Sequence, residues 1–253
     1  MSSTAFDHSV FRAAFDIGKV VLLSDNPPRL KMPDIAEAHI QAFIKHAELI
    51  IEANQKFNLT AITDAEEMAV KHYLDSLTCC LAVDFAGAQR VCDVGSGAGF
   101  PGIPLAIIFP QTRFVLLEAT QKKAAFLTDA INELGLKNCE VLADRAETAG
   151  RGPLREAFDI VIGRGVSKLS VLTEYCLPLT KLGGQFLALR GKNGVEEAIA
   201  CRAAIALFGG GETSLVRLNL TGAGERSIII VSKRTSTADK YPRRPGMPEK
   251  KPL

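Results

Sequence analysis

Metal-binding spacing is missing from this sequence. Its 253 residues include six cysteines and four histidines, with no Cys-x-x-Cys and no histidine at ligand spacing from a cysteine. A zinc site of the usual kind is therefore excluded. The cysteines, at 79, 80, 92, 139, 176 and 201, read as reduced, mostly buried thiols. No apolar run approaches the ~18 residues of a membrane span. The first ten residues hold Asp7 and His8 where a secretory signal would have a basic region and an apolar stretch. The expected compartment is the cytoplasm. Neither a membrane, a metal nor an obligate protein partner is expected. What is present is ordinary globular material, 47% hydrophobic and 23% charged, enough for a core without disulfides.

The net charge of +2 conceals an asymmetry. Residues 233–253 carry seven Lys or Arg against two acids, a balance of +5, so the first 232 residues sum to −3. This tail, interrupted by proline and glycine, cannot build its own core. It reads either as an arm for polyanions or as a frayed terminus.

Four stretches are expected. Residues 1–33 read as a weakly ordered extension, with a short helix hinted at by Phe11, Ala14, Phe15 and Gly18 and a break at Asp25-Asn26-Pro27-Pro28. Residues 34–87 read as a helical part. One helix starts near Pro33 with Asp34 and Glu37 in its first turn, and a second is capped by Thr63 or Asp64. Residues 88–232 alternate short apolar runs with helical patterns: Val91–Val94, Arg113–Glu118, Cys139–Leu142, Phe158–Ile162 and Gln185–Arg190. This is a doubly wound α/β sheet. Asn193–Leu207 reads as one helix. Thr213–Leu220 and Arg226–Val231 have no helix between them and read as a closing antiparallel hairpin. Residues 233–253 are the basic tail.

The informative stretch is Asp93-Val94-Gly95-Ser96-Gly97-Ala98-Gly99-Phe100-Pro101-Gly102. It leaves a buried strand and enters a helix, where open α/β sheets bind ligands. The dinucleotide fingerprint needs glycine where Phe100 stands, and a P-loop needs Gly-Lys-Ser/Thr, so both fail. What remains suits a cationic sulfonium nucleoside such as S-adenosylmethionine. Asp93 would lie near its amino-acid part, and Glu118, ending the next strand, would accept both ribose hydroxyls.

With these residues in hand, the chain resembles the bacterial small-subunit (16S) ribosomal RNA guanine-N7 methyltransferases, the glucose-inhibited division protein B group. The resemblance rests on Asn58-Leu59-Thr60, Lys71-His72-Tyr73-Leu74-Asp75-Ser76, the glycine turn with Phe100-Pro101-Gly102-Ile103-Pro104, Lys122-Lys123, Arg145-Ala146-Glu147, Arg164 and Lys240-Tyr241-Pro242-Arg243-Arg244-Pro245. It covers residues 34–253. It implies a Rossmann-like class I methyltransferase fold: seven strands, mostly parallel, with the antiparallel C-terminal hairpin and an N-terminal helical extension. It implies S-adenosyl-L-methionine as cofactor, S-adenosyl-L-homocysteine as product, and 16S rRNA or the small ribosomal subunit as partner. By resemblance Gly95, Gly97, Gly99, Phe100, Ala146 and Glu147 join Asp93 and Glu118 at the cofactor. Arg164 faces cofactor and substrate as the catalytic residue, and His72, Lys123, Arg190, Arg226, Lys240, Arg243 and Arg244 are placed on the RNA side. Two positions depart from the family pattern. Gly165 stands where alanine is usual, and Arg190-Gly191 replaces Lys-Gly, which puts a forked guanidinium in place of a point charge.

The chemistry agrees. Guanine N7 has an in-plane lone pair and no proton, so its methylation needs alignment rather than a general base. Exocyclic-amine methylation typically uses Asp/Asn-Pro-Pro-aromatic after the fourth strand, where this chain reads Gly163-Arg164-Gly165-Val166. Cytosine-C5 methylation typically uses Pro-Cys, which does not occur. Two rivals stand beside this reading: a methyltransferase of a small molecule or protein, and a non-catalytic RNA-binding assembly factor. The first predicts activity insensitive to salt and to loss of the tail; the second predicts no cofactor binding.

Overall fold

The computed structural model describes residues 6–18, 20–23, 30–165 and 167–253. The expected break at residues 25–28 lies outside them. Strands β1 (Val20–Leu22), β2 (Arg90–Val94), β3 (Arg113–Leu117), β4 (Cys139–Leu142), β5 (Phe158–Arg164), β6 (Thr180–Arg190), β7 (Gly210–Leu220) and β8 (Gly224–Lys233) form one sheet in the order β1-β7-β8-β6-β5-β2-β3-β4. β4-β3-β2-β5-β6 is parallel, and β8 runs antiparallel to both β6 and β7.

Side chains alternate between two cores, as the pleat requires. On β3, Phe114 and Leu116 enter one and Val115 and Leu117 the other; on β8, Ile228 and Ile230 oppose Ile229 and Val231. Both faces are covered, which is why the strands read as continuous apolar runs. On one face lie α1 (His8–Ile17), α2 (Glu37–Asn54), α3 (Ala65–Met68), a π-helical stretch Ala69–Leu74, α4 (Asp75–Leu77), α5 (Gly102–Ile108) and α6 (Gln121–Glu133). On the other lie α7 (Ala146–Ala149), α8 (Leu169–Cys176), α9 (Gly194–Ala200) and α10 (Arg202–Leu207), followed by the terminal turn α11 (Met247–Lys250).

Several expectations are corrected. Among the described residues the sheet has eight strands rather than seven. Three-residue β1 is too short to leave a periodic signal, and it covers the outer edge of β7, pairing Val20 with Leu220. Its extension is ordered where described: Asp7 caps α1 by accepting the Ser9 and Val10 N–H groups, and Phe11 is fully buried against Tyr73. α2 starts at Glu37, because Ala36 is extended and His39 reaches back to its N–H. The helix expected over 193–207 is two, divided at Cys201, whose φ of −92° and ψ of 0° leave the helical region.

The tail is not a frayed end but a packed strap. Lys233 is fully buried and donates to the carbonyls of Leu177 (2.7 Å) and Phe208 (3.0 Å); burial lowers its ammonium to about 8. Arg151 and Arg155 hold the carbonyls of Pro242 and Tyr241. Arg243 grips buried Glu174 on α8. The strap therefore runs across α7 and α8 towards the C-terminal ends of the strands. No helix among the described residues is long and apolar enough to cross a membrane.

Candidate active site

β2 is the switch point of the sheet, with β3 on one side and β5 on the other, and its carboxyl end opens into the glycine turn. Gly95 N–H donates to Leu117 O at 2.8 Å, fastening the turn to β3. Gly97 takes a left-handed φ of 58°, and a Cβ there would meet nothing closer than 3.9 Å, so its open face is cavity. Glu118 Oε2 accepts the Gly97 N–H (3.0 Å) and Oε1 accepts the Thr120 N–H (2.8 Å). The carboxylate is thereby aimed with lone pairs to spare.

A cavity of about 340 Å³ is lined by Gly95 and Gly97, by Leu117–Ala119, and by Asp144–Glu147 and Tyr175. That volume suits one nucleoside-sized ligand. Its ionisable lining is Glu118, Asp144, Glu147 and Glu249 against Lys123, Arg145 and Arg164. Four carboxylates do not welcome a pyrophosphate; they suit a ligand rich in N–H and O–H donors and carrying positive charge.

A second cavity, of about 420 Å³, lies beside the first and shares Arg164 and Gly165 with it. Lys71, Arg190 and Arg226 add positive charge against one acid, Asp75. Asp75 is the hub: Oδ2 accepts Arg164 Nη1 at 3.1 Å and Oδ1 accepts Arg226 Nε at 2.7 Å. Arg164 also donates to Lys71 O (3.1 Å) and lies over the Phe100 ring, 5.3 Å from its centroid. Its Nη2 points at His72 Nδ1 (3.4 Å). Since an arginine only donates, His72 carries its proton on Nε2, towards Thr60 Oγ1 (2.9 Å). The π-helical stretch supplies Lys71 and His72, and Asp75 follows it directly; π turns often re-aim side chains at functional sites.

The sequence-derived residues divide accordingly. Gly95, Gly97, Glu118, Ala146, Glu147 and Arg164 line the first cavity, and His72, Arg190 and Arg226 the second. Asp93 lines neither. It is buried behind the turn, where Oδ2 accepts the Gly102 N–H (3.0 Å) and Oδ1 has no partner among the described residues; its position inside the strand gives it the bracing task. Gly99 and Phe100 also leave the cavity wall. Phe100 stacks on His72 (4.6 Å between centroids) and supports Arg164 from below. Lys123, expected on the RNA side, lines the first cavity. Arg190 is bound by Glu197 (2.8 Å) and by Ser167 O (2.9 Å), so its fork fixes the loop after β5. Gly165 needs its glycine for φ 64°, not for space. Lys240 and Arg244 are exposed, whereas Arg243 is engaged by Glu174.

Reading by sequence missed Asp144, Tyr175, Glu249 and His46. Asp144 had a signal, an acid just past the third expected strand. His46 had none. It is fully buried, accepts the Tyr73 hydroxyl at Nδ1 (3.0 Å) and donates from Nε2 to Ala98 O (3.0 Å), locking α2 to the glycine turn.

These buried groups set an acid limit. Burial lowers His46 to about 3 and His72 to about 4, the latter helped by Arg164. Burial raises Asp93 to about 6, opposed by its hydrogen bond from Gly102. The depressed histidines give stability that is present above their unfolded pKa of 6.5 and lost as pH falls towards their folded values. Asp93 acts oppositely, stabilising as pH falls through 6. Near pH 5 the unfolded chain gains roughly two histidine protons against roughly one on folded Asp93. Unfolding free energy should therefore fall by about 1.4 kcal/mol per pH unit from these groups between pH 6 and 5. Urea titrations at pH 7, 6 and 5 check this; flat stability would contradict the neutral buried histidines.

Comparison with known proteins gives a consistent result. The family profile described as rRNA small subunit methyltransferase G matches residues 39–229. A protein of Pelotomaculum thermopropionicum named ribosomal RNA small subunit methyltransferase G is 47% identical over 221 residues, covering 87% of this chain and 92% of that protein. One of the same name from Staphylococcus epidermidis is 43% identical over the same shares. Among solved structures, cofactor-bound Rv0187 from MTB superposes with a TM-score of 0.53 at 19% identity, covering 84% of this chain and 100% of that one. At that identity the likeness speaks for the fold.

Proposed function

The chain belongs to the rRNA small subunit methyltransferase G family, and from that membership we propose that it methylates N7 of a guanine in 16S rRNA. It is an S-adenosylmethionine-dependent enzyme by family. The first cavity is read as the cofactor site and the second as the site of the target base. The observation that carries this division is the shared wall: Arg164 and Gly165 border both cavities, so a donor in one and an acceptor in the other meet there.

The donor set fits the cofactor. Glu118 offers free lone pairs to two ribose hydroxyls, the open face of Gly97 admits close backbone approach, and the acids beyond suit the adenine's N–H donors. The cofactor supplies an electrophilic methyl group on sulfur; the protein aligns and shields. Arg164 has five N–H donors. Its bonds to Lys71, Asp75 and His72 leave Nε–H and one Nη2–H for the substrate. Guanine presents O6 beside N7 on one edge, so a hydrogen bond from Arg164 to O6 orients N7 without taking its lone pair. Phe100, His72 and Asp75 position Arg164, and Asp75 also positions Arg226. Asp93 and Gly99 shape the glycine turn. The positive second cavity, with exposed Lys240 and Arg244 on the strap, faces RNA phosphates, and the small ribosomal subunit or its rRNA is the partner. The cytoplasm is the compartment where that substrate resides.

The deciding experiment transfers labelled methyl from S-adenosylmethionine to rRNA of a strain lacking the protein and maps the modified atom. Label on guanine N7 supports the reading; label on another atom, or on protein, overturns it. Glu118→Ala should weaken S-adenosylhomocysteine binding by roughly 30-fold or more, the loss of two charge-assisted hydrogen bonds, as calorimetry would record. RNA affinity should fall steeply with added salt, with a log–log slope of about −0.7 per phosphate contacted on single strands. A slope near zero would return the small-molecule rival.

A further inference from the structure

The C-terminal strap reaches the first cavity. After Arg243 it turns through Gly246, whose N–H donates to Glu147 Oε1 at 2.7 Å. Pro248 is buried, and Glu249 joins the wall of the first cavity. Glu147 and Glu249 act together on Tyr175, which is raised above its usual range by burial and then by these two carboxylates. The Glu249 carboxylate is exposed and has no hydrogen-bond partner among the described residues. The strap is fixed on both sides of this point, since Lys251 N–H bonds to Met247 O and Arg243 holds the Lys251 carbonyl.

The cavity has a direction. The strand order β5-β2-β3-β4 sets it: Arg164, shared with the second cavity, ends β5, Gly95 and Gly97 follow β2, Glu118 follows β3, and Asp144–Glu147 follow β4. On the cofactor reading above, the ribose lies at Glu118 and the purine at residues 144–147. Glu249 stands on the purine side, because its strap is tied to Glu147 and its charge is felt by Tyr175. In a lining of four acids against three cations, a carboxylate without a hydrogen-bond partner repels phosphate and seeks a donor. The purine of this cofactor has one strong donor group, its exocyclic amine.

We infer that the C-terminal strap is a wall of the cofactor site and that Glu249 accepts a hydrogen bond from the exocyclic amine of the adenine. The tail thus serves the donor, while its exposed Arg244 and Lys250, and Lys240 over the Tyr241 ring, face outward towards RNA. The inference rests on the cavity being the S-adenosylmethionine site, and the test separates the two.

Full-length wild type, Glu249→Ala and Glu249→Gln are titrated calorimetrically with S-adenosylhomocysteine and with its analogue whose purine lacks the exocyclic amine. Wild type should prefer the natural ligand. Glu249→Ala should weaken it about 5- to 20-fold, the worth of one partly exposed charge-assisted bond, with Glu249→Gln between. Both variants should bind the analogue as wild type does, within about 2-fold, and their thermal midpoints should not move, because the Glu249 side chain makes no hydrogen bond or ion pair among the described residues. Unchanged affinity for the natural ligand in Glu249→Ala overturns the inference alone. Equal weakening of both ligands also overturns it, since a long-range charge effect ignores the amine. A wild type that binds neither ligand overturns the cofactor reading and this inference together.

Discussion

Arg243→Ala is expected to lose about 3–5 kcal/mol of stability, as is usual when one partner of a buried pair is removed. Glu174 is 1% exposed, on a helix with apolar neighbours. Arg243 meets it with Nε at 2.9 and 3.1 Å, with Nη2 at 2.6 Å, and with its own backbone N–H at 2.8 Å. Removing the guanidinium leaves a carboxylate inside the protein with a single backbone donor. For a chain of this size each kcal/mol is worth about 2–4 °C, so the midpoint should fall by roughly 6–20 °C. Adding Glu174→Gln should recover more than half, because a neutral amide needs no counter-charge. Urea denaturation of the single and double variants reads this directly. A loss under 1 kcal/mol would mean that the strap is not held as described. The same variant should also weaken cofactor binding, since the wall carrying Glu249 is anchored through Arg243.

The second large effect is on turnover. Arg164→Met should lower the methyl-transfer rate about 100- to 1000-fold, the range seen when an aligned donor is lost from a reacting centre. Cofactor affinity should change by less than about 5-fold, because Glu118 and the glycine turn remain. Lysine should not rescue. The side chain bridges Lys71 O, Asp75 and His72 while lying flat on Phe100, which needs a planar fork rather than an ammonium. Asp75→Asn, which keeps the shape and drops the charge, should fall between. Single-turnover assays with saturating cofactor separate these outcomes, and wild-type rates in Arg164→Met would remove the arginine from the reaction.

Both predictions depend on contacts across long sequence distances, and there the limits of sequence reading are plain. The strands of the core, the glycine turn and the carboxylate at 118 follow from local rules: period, a strand–turn–helix order, an acid at a strand end. The resemblance added Arg164, Ala146 and Glu147, and all three line a cavity. Asp93 is readable both as a ligand contact and as a brace of the turn, because a strand-end acid reads alike whether it faces a ligand or the N–H of Gly102; the structure shows the brace. Arg190, Arg243 and Lys233 looked solvated or RNA-facing, since a basic residue does not announce the acid that claims it from a distant segment.

The linear order of residues determined the alternating α/β architecture, the switch-point turn and the kind of ligand it admits, because these depend on backbone period and on neighbours within a few positions. Only tertiary structure decided that His46 and the helical part lock the turn, that Asp75 joins two arginines, and that the last residues fold back as a wall. The physical reason is that a charge or a buried histidine is defined by its partner. Those partners stand 52 residues away for His46 and Ala98, 89 for Asp75 and Arg164, and 99 for Glu147 and Gly246, distances that no local pattern spans.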